Sequence, residues 1–341
     1  MAEIKTHSIE DKNTWETFLA TRGEANFLHS WYWGEFYKRL NRLVFRRGFN
    51  DGLNLEGVLL AVVEPAKRGR HLIVPGGPII NWSNAPIVKA WVDEIKAIAH
   101  SEKCVFVRVR PQLSDTPENR DFFRSLGFVK APMHLHAELT SQLDLTRTDD
   151  ELKKGMRKGA RYELNRSQKL GVQVEAVGDA RYIDEFYELQ LRTAKRQKFV
   201  PFSKRYLSEQ FAAFAADNKV LMYRSTHQGQ LLAMAFIIFY GTEADYHYGA
   251  STDLARQIPG AYLIQWEAIA EAKRRGCSRY NFWGVTEHGQ TKHRFYGVSV
   301  FKRGFGGVDV AYLPAHDLVI NKARYAPTYL FETGRRKLRR L

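Results

Sequence analysis

The chain has 341 residues, 44% of them hydrophobic, and carries 52 Lys and Arg against 37 Asp and Glu, a formal net charge of +15. This composition excludes a disordered chain and leaves room for one large domain or two ordinary ones. The positive excess fits a polyanionic partner (nucleic acid, a phosphorylated ligand or an anionic membrane face) or, more plainly, a basic surface that keeps the chain soluble. Two cysteines, Cys104 and Cys277, are too few for a disulfide framework and read as reduced core thiols. The opening MAEIKTHSIEDKNTW has no apolar signal core, and LLAMAFIIFYG is too short to span a bilayer. A soluble cytoplasmic protein is expected.

Along the chain, FLHSWYWGEFYKRL is densely aromatic. Trp31, Trp33 and Tyr37 suit a core, and Lys38 beside them can reach an anion. NLEGVLLAVVEPAKRGRHLIVPGGPII reads as strands joined by a polar turn. Ile87, Trp91, Ile95 and Ile98 then recur at helical spacing, with Asn84 and Pro86 at the start. VFVRVRP is a strand with Arg108 and Arg110 on one face. Two adjacent guanidinium groups need either a shared ligand anion or a carboxylate each, and both readings stand. His134 and His136 in MHLHAEL share a strand face, but a usable metal site needs three or four ligands, so no metal is expected.

LDLT ends a further strand, and Asp149, Asp150 and Glu151 open a helix, where carboxylates complement the dipole. ELKKGMRKGARYELNRSQKLG is a basic helical stretch with Lys154, Arg157, Lys158 and Arg161 on one side, fit for RNA phosphates or for a solvated face. QGQLLAMAFIIFYGTEADYHYGAST gives two strands, the second with Tyr246 and Tyr248 on one face. ARQIPGAYL starts a helix whose N-terminus could hold a pyrophosphate. Pro259 lacks the amide that a coenzyme A cradle would use. GVSVFKRGFGG reads as a strand entering a glycine turn, with Lys302 either a surface charge or a cleft cation beside closely approaching backbone. The end, DLVINKARYAPTYLFETGRRKLRRL, is helical, with a kink or break at Pro327. Its cluster Arg335, Arg336, Lys337, Arg339 and Arg340 suits RNA, an anionic lipid surface or a frayed end. No GxSxG elbow or Walker phosphate loop occurs.

The chain repeats itself. Leu59 and Leu231, Trp91 and Trp266, and Cys104 and Cys277 lie 172, 175 and 173 residues apart. Each copy reads strand–strand–strand–helix–strand, which predicts two related α/β (mixed α+β) halves that meet near Ser141.

FLHSWYWGEF, LDLTRTDDELKKGMRKGARYELNRSQKLGV, YHYGAS, YNFWGV and KHRFYGVSVFKRGFGG together resemble the Fem family (FemABX) of peptidoglycan branch-forming transferases, in the family's order. The resemblance implies two tandem acetyltransferase-like (GNAT-like) domains, residues 1–140 and 141–312, with the helical segment 313–341 packing back on the first. It implies transfer of an amino acid from aminoacyl-tRNA to the stem-peptide amine of a peptidoglycan precursor, nucleotide- or lipid-linked, without a cofactor and by a monomer. Phe301 and Lys302 match the family's catalytic Phe-Lys pair, and Tyr248 and Tyr206, with Lys204 or Arg205, its precursor site. Tyr37 and Lys38 lie at its N-terminal phosphate site, and Arg108 and Arg110 stand for substrate contact. Lys154, Arg157, Lys158 and Arg161 stand for tRNA contact, and peripheral contact with an anionic membrane fits the charge. Arg110 occupies a place where some relatives carry an acid, so no carboxylate base is expected there. No heptad segment marks a coiled-coil insert, which leans towards the compact FemX-like form. An acyl-CoA N-acyltransferase of the same fold, and a non-catalytic RNA-binding relative, are the competing readings.

Overall fold

A computed structural model describes residues 4–66, 69–197 and 199–339. The chain divides into two compact units, Met1–Glu138 with Ala311–Leu341, and Leu139–Val310. The first opens with β1 (Ile4–Ser8), α1 (Lys12–Ala20), α2 (Trp31–Arg39), β2 (Val44–Asp51), β3 (Asn54–Ala66), β4 (Gly69–Pro75) and the short β5 (Ile79–Ile80). Next come α3 (Ala85–Ser101), β6 (Phe106–Arg110), α4 (Pro117–Ser125) and β7 (Phe128–Lys130). The second unit begins with β8 (Leu139–Asp144), α5 (Asp149–Gly155), α6 (Lys158–Lys169), β9 (Gln173–Val177), α7 (Ile183–Gln197) and α8 (Lys204–Ala215). It continues with β10 (Val220–His227), β11 (Gln230–Tyr240), β12 (Glu243–Ser251), α9 (Gly260–Arg274), β13 (Arg279–Gly284), α10 (Tyr296–Arg303) and β14 (Val308–Ala311). β15 (His316–Val319) and α11 (Lys322–Arg339) return to the first unit.

The two sheets have one plan. The first runs β1-β2-β3-β4-β6-β15-β7, with β5 on β3, and the second runs β9-β10-β11-β12-β13-β8-β14. In each, the fourth and fifth strands form a parallel pair, β4 with β6 and β12 with β13, spanned by the crossover helices α3 and α9. Parallel neighbours need such a crossover, so equal placement of the pair is a strict likeness. Trp91 and Trp266 are each the seventh residue of their helix, and Cys104 and Cys277 each stand two residues before the following strand. The halves differ in connection: the sixth strand, β15, comes last in the first unit, whereas its counterpart β8 comes first in the second.

Strand alternation builds each core. Leu59, Ala61 and Val63 of β3 face α3 and α4, packing with Trp91, Ile95, Phe123 and Phe128. Ala233, Ala235, Ile237 and Phe239 of β11 meet Leu164 of α6 and Ile264, Ala268 and Ile269 of α9. α3 starts as its sequence dictates: Asn84 accepts from the Ile87 amide and Pro86 stands in the first turn.

Five local expectations are corrected. The basic stretch is two helices, because Met156 takes an extended conformation (ψ 141°) between α5 and α6. α5 is fixed by a capping box between Thr148 and Glu151, worth about 1 kcal/mol. Phe301 and Lys302 lie on α10, not on a strand; Ser299 and Lys302, three apart, form its buried side, and Val298 is exposed. Tyr246 and Tyr248 do not share a face. Ile237 pairs with Tyr246 and Phe236 with Tyr248, so a bulge at His247 resets the alternation. His134 and His136 sit in irregular chain between β7 and β8. α11 runs through Pro327 without a break, and Arg340 lies outside the described residues.

Candidate functional site

The second unit opens at the carboxyl ends of its parallel strands. β12 and β13 pair only from Glu243 and Arg279 to Asp245 and Asn281. Beyond that, β12 follows β11 to Ser251, while β13 follows β8 with one extra residue between Asn281 and Gly284. Trp283 occupies this irregularity in the left-handed region, φ 63°, where a bulky residue is strained. Its amide donates to Asn281 Oδ1 at 2.9 Å, which holds the turn.

Lys302 reaches this opening from α10. Its Nζ donates to the Gly284 carbonyl at 2.7 Å and stands 5.6 Å from the Tyr246 ring centre. The side chain is buried, and burial pulls its pKa down to about 7. Thus the ammonium is held where its charge is easily lost or returned. His247 is beside it: burial, then the Lys302 charge, hold its imidazole pKa well below the ordinary value, so the ring is neutral. Gln210 Nε2 lies 3.0 Å from His247 Nε2, and Trp283 packs edge-on against the same ring. Burial pushes the Tyr246 hydroxyl up to about 12, so it remains a neutral polar group.

α10 is pinned at both ends. Ser299 Oγ receives the Thr286 amide at 2.9 Å, and Arg303 holds Asp309. Phe301 turns into the aromatic group of Tyr262, Phe305 and Phe282. The glycines after Lys302 approach the protein's own backbone rather than a ligand. A Cβ on Gly306 (φ +88°) would lie 2.6 Å from the Gly155 carbonyl oxygen, and one on Gly307 would lie 2.8 Å from that of Gln142. Gly306→Ala is therefore expected to destabilise the chain by about 1–3 kcal/mol, read by chemical denaturation.

Tyr206 and Tyr248 come together through Phe202, stacked on Tyr206 at 4.5 Å and 5.4 Å from Tyr248, whose ring in turn meets His247 at 4.0 Å. Lys204 pairs with Asp184 at 2.8 Å, and Arg205 is exposed on the same helix. The sequence reading missed Phe202, Gln210, His247 and Trp283. His247 lay inside YHYGAS, but the bulge that turns it inward has no sequence mark, and nothing in FWG announces the strain at Trp283.

In the first unit, Arg108 is corrected. It is buried, bidentate to Asp317 at 2.7 and 2.8 Å, and bonded to Glu332 at 2.8 Å, so it has no surface to offer an anion. Burial works against its charge, but these two carboxylates outweigh it and hold the guanidinium firmly protonated. Arg110 is also buried, bonded to Gln112 and to the Ala137 carbonyl and lying over the Tyr312 ring. Tyr37 is buried against Trp33 and Phe36, whereas Lys38 is exposed and pairs with Glu35 at 3.1 Å. In the basic stretch Lys154, Arg157 and Lys158 are exposed, while Arg161 is half-buried and donates to the Lys153 and Lys154 carbonyls. Arg161 thus caps the end of α5.

The start of α9, the site a coenzyme pyrophosphate would use, is closed by its own turn. Pro259 has no amide, the Gln257 and Ile258 amides bond to Leu254, and that of Gly260 bonds to Ile258. Among the described residues no group of three His, Cys, Asp or Glu could hold a metal, and no helix is long and apolar enough to cross a membrane.

Known proteins share this architecture. A crystal structure of FemX superposes with a TM-score of 0.85 over 96% of this chain and 100% of that one, at 17% identity. A tandem GNAT protein from the clavulanic acid biosynthesis pathway superposes at 0.58 over 92% and 98%, at 12% identity, so the acetyltransferase-like doubling expected from the sequence is present in the fold. Aminoacyltransferase FemA of Staphylococcus aureus is 23% identical over 360 residues, covering 81% of this chain and 86% of that one. The FemAB family profile matches residues 11–121, 127–227 and 222–333. With nearly the whole chain matched in order, the protein belongs to the FemAB family.

Proposed function

We propose that the protein is an aminoacyltransferase that moves an amino acid from aminoacyl-tRNA to the stem-peptide amine of a peptidoglycan precursor. The observation that carries this reading is Lys302, a buried lysine with a pKa near 7, held by Gly284 where β12 and β13 part. Membership of the FemAB family and similarity to a protein named aminoacyltransferase support it.

The ester of an aminoacyl-tRNA is already activated, so the reaction needs alignment and charge stabilisation rather than a covalent intermediate. The acceptor amine attacks the ester carbonyl, an amide C–N bond forms, and the ester C–O bond breaks. The proton lost by the amine ends on the departing ribose oxygen or in water. The carbonyl oxygen gains negative charge in the transition state, and the Lys302 ammonium is the cation for it. Tyr246, neutral and adjacent, adds a hydroxyl, and Phe202, Tyr206 and Tyr248 give an aromatic wall for the precursor. Lys204 and Arg205 border that wall; Lys38, exposed on α2 of the first unit, is a separate candidate cation for a phosphate. The occupied amides at the start of α9 count against an acyl-CoA donor.

The test is incubation with labelled aminoacyl-tRNAs and with nucleotide- or lipid-linked precursors, the product being identified by mass. Transfer from acyl-CoA instead, or no transfer with any pairing, would overturn the reading. Lys154, Arg157 and Lys158 are the exposed phosphate contacts of this proposal. Changing all three to Gln is expected to weaken tRNA binding and to flatten its salt dependence by roughly three units of slope. Arg161 is left intact in that variant because it caps α5. An unaltered salt slope would make the segment a solvated face.

A further inference from the structure

α11 wears its apolar face outward. Tyr325, Thr328 and Glu332 form the side packed on the first unit, where Tyr325 meets Phe106 and Glu332 bonds Arg108. Successive turns place Ala323, Ala326, Pro327, Leu330, Gly334 and Leu338 on the opposite side, all exposed. Leu330 is 71% exposed, the adjacent Phe331 55% and Leu338 89%. An ordinary surface helix has the reverse polarity, with its apolar stripe turned to the core. Lys322 borders this face on one side and Arg324 and Arg335 on the other, while Arg336, half-buried like Arg335, lies nearer the packed side. Residues 322–341 hold seven Lys and Arg against a single acid, Glu332, and that acid is turned inward onto Arg108. Beside the helix lies a groove of about 510 Å³ in which Arg70, Lys103 and Arg324 surround Val105, Pro327 and Phe331. Arg70 keeps its ion pair with Glu102 there, leaving Lys103 and Arg324 to give the groove a positive rim.

We propose that the outward face of α11, with this groove, docks the protein on an anionic lipid bilayer, the helix lying in the plane of the interface. An apolar face flanked by cations, on a helix that does not cross the membrane, has the chemistry of an interfacial helix: Leu330, Phe331 and Leu338 enter the acyl boundary while Lys and Arg reach the headgroups. Charge complementarity selects anionic lipid, since each cation near such a surface gains from its potential. The inference does not depend on the reaction carried by the second unit.

The test is co-sedimentation of the full chain with vesicles of phosphatidylcholine alone and of an equimolar phosphatidylcholine–phosphatidylglycerol mixture. Binding to the mixed vesicles, weakened by salt, and little to the neutral ones is expected. Leu330→Ser with Phe331→Ser should weaken it about tenfold or more, because two apolar anchors are lost. Arg335→Gln with Arg336→Gln should weaken it roughly 25-fold, near fivefold for each charge. The serine variant alters solvent-facing positions and the Gln variant half-buried ones, and a melting curve checks that both fold. Equal affinity for both vesicles, no binding, or binding untouched by the serine variant would overturn the proposal. So would a wild-type oligomer that the serine variant dissociates in light scattering, which would assign the face to a second copy. Loss of tRNA binding in the Gln variant with vesicle binding intact would assign the cations to RNA and also overturn it.

Discussion

Lys302→Met is expected to lower turnover by roughly 100-fold or more while leaving the fold intact, the loss typical when one oxyanion donor is removed. Methionine keeps much of the lysine stem's packing among Tyr246 and the α10 contacts. Steady-state kinetics with both substrates varied will separate roles: an oxyanion role lowers kcat, whereas a ground-state phosphate contact raises KM and spares kcat. The pH profile adds a second check. A cationic role requires the protonated form, so wild-type activity should fall as pH rises through about 7, and this limb should vanish in the variant. A limb that rises through the same pH would make the neutral amine a proton acceptor and sink the cation. Stability carries a third signature. The unfolded lysine keeps its proton up to its ordinary pKa of 10.5, while the folded one releases it near 7. Between these values the unfolded chain binds more protons, so this group makes stability rise with pH, by at most about 1.4 kcal/mol per pH unit. Urea melts at neutral and mildly alkaline pH should show that rise in the wild type and a smaller one in Lys302→Met.

Asp317→Ala is expected to destabilise the protein by about 3–5 kcal/mol, because Arg108 would keep its charge in the interior with two of its three carboxylate bonds gone. Asp317 is fully buried and also accepts from the Tyr325 hydroxyl at 2.9 Å, so three elements, β6, β15 and α11, lose a common point. Removing the pair as a unit should be far milder. Arg108→Met with Asp317→Leu is expected to recover most of the loss, since apolar replacements of a buried pair are often neutral. Guanidinium melts of the single and double variants complete the cycle. A loss under about 1 kcal/mol in Asp317→Ala would show that water or Glu332 already compensates the arginine.

The doubled plan was legible because it is written in features with one meaning. Trp91 and Trp266 mark the same turn of the same crossover helix, and Cys104 and Cys277 the same approach to the next strand. The exchange of the sixth strand left no mark, since His316–Val319 and Leu139–Asp144 read as ordinary strands wherever they pair. Local errors came where two periodicities fit. Val298 and Val300 alternate as in a strand, yet Ser299 and Lys302 are the buried pair of a helix. Tyr246 and Tyr248 would share a face on any regular strand, and one extra residue undoes that. Lys302 was singled out mostly by the family resemblance and only secondarily by the glycines after it, and those glycines serve the chain's own crossings with Gly155 and Gln142. Arg108 found its acids 209 and 224 residues away, a pairing no local pattern announces.

The place of β15 has a consequence for how the protein is made. Residues 139–310, the whole second unit, are translated between β7 and β15. At a synthesis rate of roughly 5–20 residues per second, about 10–35 s pass in which the first unit has emerged without its sixth strand or its last helix. During that interval β6 and β7 each have an open edge, and Arg108 awaits both of its carboxylates. The second unit, which contains all seven strands of its own sheet, has no such wait. The half that begins first therefore finishes last, and a nascent chain stalled before His316 exposes to chaperones and proteases an N-terminal half that cannot close.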